Sequence, residues 1–182
     1  MKNVSILFQK SQTTSLRYAT LLIVAHRGAA TVVPENTIQA YQTAINLRAD
    51  AVELDVRLTR DLLPVVLHYF YLDEITSVAR PIFNCPVHEL SQARFDGMAD
   101  QGSDRYKIST LEEVVHTIGW QLGLEIEIKG SERGAPQIIG KVLREYPSLW
   151  ERIQMTSSEL QLLMGIQEEC SGIGVNLAPK PA

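Results

Sequence analysis

The sequence lacks several features that assign a protein to a class at once. No apolar run approaches the roughly 18 residues that a membrane span requires, and the few apolar residues after Met1 are too short a stretch for a secretory leader. No run of lysines and arginines indicates binding to nucleic acid or to an anionic membrane. Cys85 and Cys170 are isolated thiols without metal-ligand spacing, which favours a reducing, cytoplasmic setting.

The composition is that of one globular domain. The chain has 182 residues, 45% of them hydrophobic, with a net charge of −4 and a mean hydropathy of −0.02, so it can bury a full core. Regular patterning begins only at Leu21. We therefore predict an N-terminal extension over residues 1–20 and a single domain over residues 21–182.

From Leu21 onward, predicted strands alternate with predicted helices, which is typical of a parallel sheet, open or closed. The predicted strands are 21–25, 51–58, 122–128, 152–156 and 173–177. The predicted helices begin near Asn36, Thr110, Ala135 and Ser158.

Two helix starts and one hairpin carry specific signals. Asn36, with Gln39 three residues later, is read as a helix cap, with a role near a site as the alternative; Thr110 and Glu113 form a capping box. Residues 65–68 read as a strand that folds back beside the second strand. Residues 69–108 are weakly patterned, with short helical turns such as 87–93, and a segment of that length indicates a functional insertion.

The second strand places two acids on one face. Side chains alternate along a strand, so Glu53 and Asp55 point the same way with their Cβ atoms roughly 7 Å apart. If that face is covered, two unpaired carboxylates cost several kcal/mol, roughly, and a positive group must lie between them. A hard divalent cation meets that requirement.

The third strand repeats the pattern with Glu125, Glu127 and Lys129 on one face. An exposed antiparallel strand with solvated charges would show the same alternation. His26, with Arg27 and Gly28, follows the first strand, where α/β folds place their sites. Gly28 lets the chain turn and lets a ligand approach closely.

Together these residues resemble the glycerophosphodiester phosphodiesterase family, in order along the chain from about Leu21. The matching motifs are His26-Arg27-Gly28, Pro34-Glu35-Asn36-Thr37, Glu53-Leu54-Asp55-Val56, Thr59, Asp61, Pro64-Val65-Val66, His68, Leu72-Asp73, Thr110-Leu111-Glu112-Glu113 and Ile126-Glu127-Ile128-Lys129. The resemblance implies an α/β fold of the TIM-barrel type found in phospholipase-C-like phosphodiesterases, with the insertion after its second strand. About five of the eight barrel strands are predicted, so we expect a barrel shortened at its C-terminal end. Three explanations stay open: the residues are part of a longer natural chain, a second copy of the chain supplies the missing wall, or the protein is a decayed relative.

The resemblance also implies a chemistry. Glycerophosphodiesters would be hydrolysed to sn-glycerol 3-phosphate and an alcohol, with Mg²⁺ or Ca²⁺ bound by Glu53, Asp55 and Glu127. His26 and His68 would be the acid/base pair. Arg27 and Lys129 would neutralise the phosphate. In the family the glycerol 2-hydroxyl is thought to attack first, giving a cyclic phosphate that water opens.

Two alternatives stay open on the sequence. One is a related barrel phosphodiesterase that acts on another phospholipid headgroup. The other is a phosphodiester-binding module with impaired catalysis. The second is favoured by Tyr69, which stands where the family usually has an aspartate after its second histidine.

Overall fold

The computed structural model of the chain describes residues 4–9, 20–90, 106–130, 132 and 134–179. Its strands are β1 (Val4–Gln9), β2 (Thr20–His26), β3 (Ala51–Leu58), β4 (Pro64–Val66), β5 (Gly123–Ile128), β6 (Ile153–Ser157) and β7 (Gly174–Leu177). Its α-helices are α1 (Ile38–Asn46), α2 (Val87–Leu90), α3 (Leu111–Ile118), α4 (Ala135–Leu143) and α5 (Leu160–Glu169). Single 3₁₀ turns cover Leu72–Glu74, Ile82–Asn84 and Pro147–Arg152.

All described strands belong to one sheet with the order β1-β2-β3-β5-β6-β7, and β4 joins β3. Strands β2, β3, β5, β6 and β7 run parallel, which confirms the five predicted barrel strands. They make up about half of an eight-stranded barrel. Strand β1 pairs antiparallel with β2; the sequence analysis assigned these residues to an extension and predicted no strand there.

One edge of β3 is shared by two partners. Strand β2 pairs with its beginning, over Ala51 to Glu53, and β4 pairs antiparallel with its end, over Val56 to Leu58. The predicted hairpin is therefore confirmed. Between these two pairings lies Asp55, whose backbone needs partners from elsewhere.

The main core lies between the sheet and the helices. Val52, Leu54 and Val56 of β3 are fully buried against it, as is Ile126 of β5. Each such side chain contributes about 1.5–3 kcal/mol by leaving water. Because alternate residues point the other way, the packing of this face directs the acids of β3 and β5 to the opposite, concave face.

Of the two predicted helix caps, one is confirmed and the other is wrong. Thr110 and Glu113 form the predicted capping box at the start of α3. Helix α1 is instead capped by Thr37, whose side chain accepts a hydrogen bond from the Ala40 N–H. Asn36 precedes the cap and has a positive φ of 56°, so its side chain is free to point toward the sheet.

The described part of the insertion packs against β4 and the residue after it to form a second, smaller core. It comprises Val65, Leu67, Leu72, Ile82, Cys85, Leu90, Tyr106 and Ile108. Helix α2 covers the first part of the helical turn predicted at 87–93, and residues 91–93 lie outside the described residues. Across the described ranges, no helix combines the length and apolar character needed to cross a membrane.

Candidate active site

The carboxyl ends of three parallel strands meet at one edge of the sheet. The register sets His26 beside Glu53 and Asp55 beside Glu127. His68 follows β4, and its ring reaches Asp55. The structure therefore brings together all seven residues that the sequence analysis singled out, the remaining two being Arg27 and Lys129.

Three carboxylates form the centre of this site. Oxygens of Glu53, Asp55 and Glu127 all lie within 4.8 Å of one another. Glu53 Oε1 is buried and has no hydrogen-bond partner, and Asp55 Oδ1 is buried with only the Lys129 ammonium beside it, at 3.3 Å, and no hydrogen bond of good geometry. Buried polar atoms are nearly always paired, and carboxylate oxygens are the ligands that Mg²⁺ and Ca²⁺ prefer, so these residues fit a divalent cation.

Glu53 and Asp55 have pKa values shifted in opposite directions. Burial raises the pKa of Glu53 to about 8, and repulsion from Asp55 and Glu127 adds to the rise. Burial also raises the pKa of Asp55, but His68, Lys129 and Asn36 outweigh it and bring that pKa down to about 2. The site therefore favours a charged Asp55 and a protonated Glu53 until a cation offsets the negative charge.

Arg27 links the acids to His68. Its Nε lies 3.2 Å from Asp55 Oδ2 and its Nη1 lies 3.0 Å from Glu35 Oε1. Its backbone N–H donates to Glu53 Oε2 at 3.1 Å. Arg27 adopts a positive φ of 55°, an uncommon conformation for a residue with a side chain. That turn aims both the backbone N–H and the guanidinium into the site.

Lys129 supplies the second cation. Its Nζ lies 2.7 Å from Glu127 Oε1 and 3.3 Å from Asp55 Oδ1. Residue 129 follows β5, where its backbone N–H still donates to the Val56 carbonyl. The ammonium thus lies between two of the three carboxylates, each on a different strand.

The two histidines have different surroundings. His68 Nδ1 lies 3.3 Å from Asp55 Oδ2, and its Nε2 lies 3.3 Å from Arg27 Nη2. Because arginine only donates hydrogen bonds, this arrangement assigns the ring proton to Nδ1 and a lone pair to Nε2. His26 Nε2 lies 3.7 Å from Glu53 Oε2. Burial and the neighbouring Arg27 lower the pKa of His26.

Asn36 has a place in the site that its interpretation as a cap did not predict. Its Nδ2 donates to Asp55 Oδ2 at 3.0 Å, and its Oδ1 accepts from the Asp55 N–H at 3.3 Å and from Tyr41 Oη at 2.9 Å. Asn36 therefore accepts from the Asp55 N–H at a point on the edge of β3 that neither β2 nor β4 covers. The available signal was the asparagine itself, which tolerates a positive φ better than most residues.

Two further expectations have mixed outcomes. Gly28 turns with a positive φ of 79° as expected, and a Cβ there would lie 2.8 Å from Ala40 of α1, so helix α1 also approaches the backbone closely at this position. Tyr69 packs its ring edge-to-face with His68, 5.3 Å between centroids. An aromatic contact thus stands where the resemblance led us to expect a carboxylate beside this histidine.

Comparison with known proteins agrees with this geometry. Residues 26–146, more than half of the chain, match the model of the glycerophosphoryl diester phosphodiesterase family. A glycerophosphodiester phosphodiesterase of Caldanaerobacter subterraneus is 31% identical over 160 residues, which cover 86% of this chain and 65% of that protein. Bacillus subtilis YhdW is 37% identical over 131 residues, 69% of this chain and 53% of that protein. The chain thus spans a little over half to two thirds of these relatives.

A solved structure shares the architecture. An Oleispira antarctica phosphodiesterase, determined in complex with the product sn-glycerol-3-phosphate, superposes with a TM-score of 0.75 and 27% identity over 87% of this chain and 67% of that one. The parallel half-barrel is thereby of the TIM-barrel type. On the strength of the family match over its site-bearing region, the chain belongs to the glycerophosphoryl diester phosphodiesterase family.

Proposed function

We propose that the chain carries the active site of a phosphodiesterase that hydrolyses glycerophosphodiesters to sn-glycerol 3-phosphate and an alcohol. The observation that supports this most directly is the meeting of three carboxylates, two imidazoles and two cationic side chains at the carboxyl end of the sheet. The product bound to the Oleispira antarctica phosphodiesterase is the one this reaction would release.

Glu53, Asp55 and Glu127 would hold a divalent cation, Mg²⁺ or Ca²⁺. A bound cation neutralises the phosphodiester and stabilises the charge that develops on its oxygens. Arg27 and Lys129 contribute in the same direction, since both lie against Asp55 and carry nitrogens within reach of the same space. Charge neutralisation is the first requirement because a phosphodiester anion repels nucleophiles.

His26 and His68 would divide the proton transfers. His68 lies against Asp55 through Nδ1, and its Nε2 lone pair, which faces Arg27 Nη2 here, would accept a proton from the attacking glycerol hydroxyl once Arg27 turns to the phosphate. His26 would then protonate the oxygen of the leaving alcohol, and its lowered pKa makes its protonated form a stronger donor. In the second step His26 would take a proton from the water that opens the cyclic phosphate, and His68 would return its proton to the glycerol 2-oxygen, so each imidazole ends in its starting protonation state.

The test is the release of glycerol 3-phosphate from glycerophosphocholine by the whole chain, with Mg²⁺ or Ca²⁺ and with or without chelator. We expect metal-dependent turnover, and a loss of about 10²- to 10⁴-fold in kcat for His26→Ala and for His68→Ala. His116→Ala on α3, outside the site, is the matched control. Binding of the diester without turnover would contradict the proposal and favour the phosphodiester-binding module. Turnover of a different diester would mean that the substrate carries another headgroup.

A further inference from the structure

Arg57 continues the inward-facing row of β3. It follows Asp55 by two residues on the same face, and it is only half-buried among the acids Asp55, Glu127, Glu132 and Glu74, which act on it electrostatically. Among the described residues, no carboxylate lies within the 4.0 Å ion-pair distance of its nitrogens. Its direct contacts are therefore of another kind.

Those contacts hold the segment that carries His68. Arg57 Nε donates to the His68 carbonyl at 2.9 Å. The guanidinium also lies over the Phe70 ring, 5.8 Å from its centroid, a distance at which the ring face attracts a cation. One arginine thus holds the chain on both sides of Tyr69.

The segment needs this support because the sheet no longer provides it. Strand β4 ends at Val66, and the Leu67 N–H makes the last backbone hydrogen bond from this segment to β3, with the Asp55 carbonyl at 2.8 Å. His68 lies one residue beyond it. Its ring is held by Asp55 and Arg27, while its own backbone is held by Arg57.

We infer that Arg57 is a positioning residue, which fixes the His68 imidazole against Asp55 through the hydrogen bond to the His68 carbonyl and the contact with Phe70. This inference rests on the proposed function of His68. Misplacing a reacting group by about 1 Å can cost about a hundredfold in rate. The loss should fall on kcat, because Arg57 touches a group that acts in the chemical step and leaves the phosphate contacts of Arg27 and Lys129 in place.

The experiment compares Arg57→Met, Arg57→Lys and the control Arg60→Met in the whole chain. Methionine keeps the apolar stem and removes the donors, lysine keeps a cation and a donor, and Arg60 is an exposed arginine of the adjacent turn. For Arg57→Met we expect kcat to fall about ten- to a hundredfold with KM within about threefold. Arg57→Lys should recover part of that loss, and Arg60→Met should behave as the wild type.

Two further readouts keep this test independent of turnover. Calcium affinity by calorimetry should not fall in Arg57→Met, since the carboxylates are untouched and the substitution removes a positive charge that acts on Asp55 and Glu127. The ring resonances of His68, assigned by comparison with His68→Gln, should shift in Arg57→Met and stay in place in Arg60→Met. Unchanged ring resonances, an unchanged kcat, or a rise in KM alone would each overturn the inference, the last because it would make Arg57 a phosphate ligand.

The failure of the proposed function has a different signature. If the wild type hydrolyses no diester, the proposed function is wrong, whereas the His68 resonances still decide whether Arg57 positions that ring. Should Arg57→Met fail to fold, Arg57→Lys and Arg57→Gln carry the same comparison, and a folded Arg57→Gln with wild-type kcat and His68 resonances would refute the role of Arg57.

Discussion

Two neighbouring rows of acids on the concave face of the sheet behave differently. The upper row is Asp55 with Glu127, and the lower row is Glu53 with Glu125; each pair lies side by side in the register of β3 and β5. Lys129 contacts both acids of the upper row, and Arg27 lies 3.2 Å from Asp55. In the lower row, Glu53 receives the backbone N–H of Arg27, and Glu125 receives Thr156 Oγ1 at 3.4 Å.

This difference in partners sets the protonation of the two rows. The pKa of Asp55 falls to about 2 although it is the more deeply buried acid of β3. Burial raises the pKa of Glu53 to about 8 and also raises that of Glu125. Burial alone therefore does not decide the charge of an acid here, because His68, Lys129 and Asn36 reach Asp55 and outweigh its burial, whereas the partners of Glu53 do not outweigh the burial of that acid.

The largest expected effect follows from neutralising the upper row. Asp55→Asn removes the charge against which Arg27, Lys129 and His68 are placed. Because Arg27 keeps Glu35 and Lys129 keeps Glu127 as partners, we expect a loss of roughly 1–3 kcal/mol, the cost of removing one partner from buried hydrogen-bonding groups. Urea unfolding of the metal-free protein at neutral pH measures it. Glu125→Gln in the lower row, the matched control, should change the unfolding free energy by less than about 1 kcal/mol, and equal losses in both variants would remove the distinction between the rows.

Substitutions of Glu53 and Glu125, the two acids of the lower row, should differ in their effect on metal affinity. Glu53→Gln and Glu127→Gln each remove a carboxylate of the cluster and should weaken Ca²⁺ and Mg²⁺ binding by at least about tenfold. Glu125→Gln should leave the affinity within about twofold, because Glu125 is not part of the three-carboxylate group. Isothermal titration calorimetry on the whole chain measures all three. A loss of metal affinity in Glu125→Gln as large as in the other two variants would show that Glu125 also binds the metal.

The pH dependence of stability should reveal the protonated Glu53. In the metal-free folded state this carboxyl holds its proton up to about pH 8, whereas its ordinary pKa is 4.5. The folded state then binds more protons between these values, so the contribution of Glu53 to the unfolding free energy decreases as pH rises from about 4.5 to about 8. Wild type minus Glu53→Gln isolates this contribution in melts across that range. A difference that does not change with pH would contradict the shifted pKa, and saturating Ca²⁺ should reduce the slope.

The smallest expected effect concerns the support of the lower row. Thr156→Val removes the 3.4 Å hydrogen bond to Glu125 and keeps the shape of the buried side chain. A hydrogen bond of that length contributes little, so we expect a change in unfolding free energy below about 1 kcal/mol and no change in Ca²⁺ affinity. A change of 3 kcal/mol or so would place Glu125 in a network as strongly coupled as that of the upper row.

Much of the site was predictable because it depends on local rules. The two-residue period of a strand places Glu53 with Asp55 and Glu125 with Glu127, and the meeting of parallel strand ends brings His26 to the same edge. The role of Asn36 was not predictable by such rules. Its partner, Asp55, lies 19 residues away, between the part of β3 that pairs with β2 and the part that pairs with β4. A role as a helix cap explained the presence of an asparagine there equally well.

The sequence by itself determined the five parallel strands, the capping box of α3 and the identity of the acids that share a face, since each depends on spacing along the chain; the barrel type followed from the family resemblance. Only the tertiary structure decided which acids meet cations, why the pKa values of Glu53 and Asp55 diverge, and how Arg57 and Asn36 hold their neighbours. These depend on distances of about 3 Å between residues far apart in sequence. Electrostatic and hydrogen-bond energies change steeply over such distances, and no periodicity along the chain encodes them.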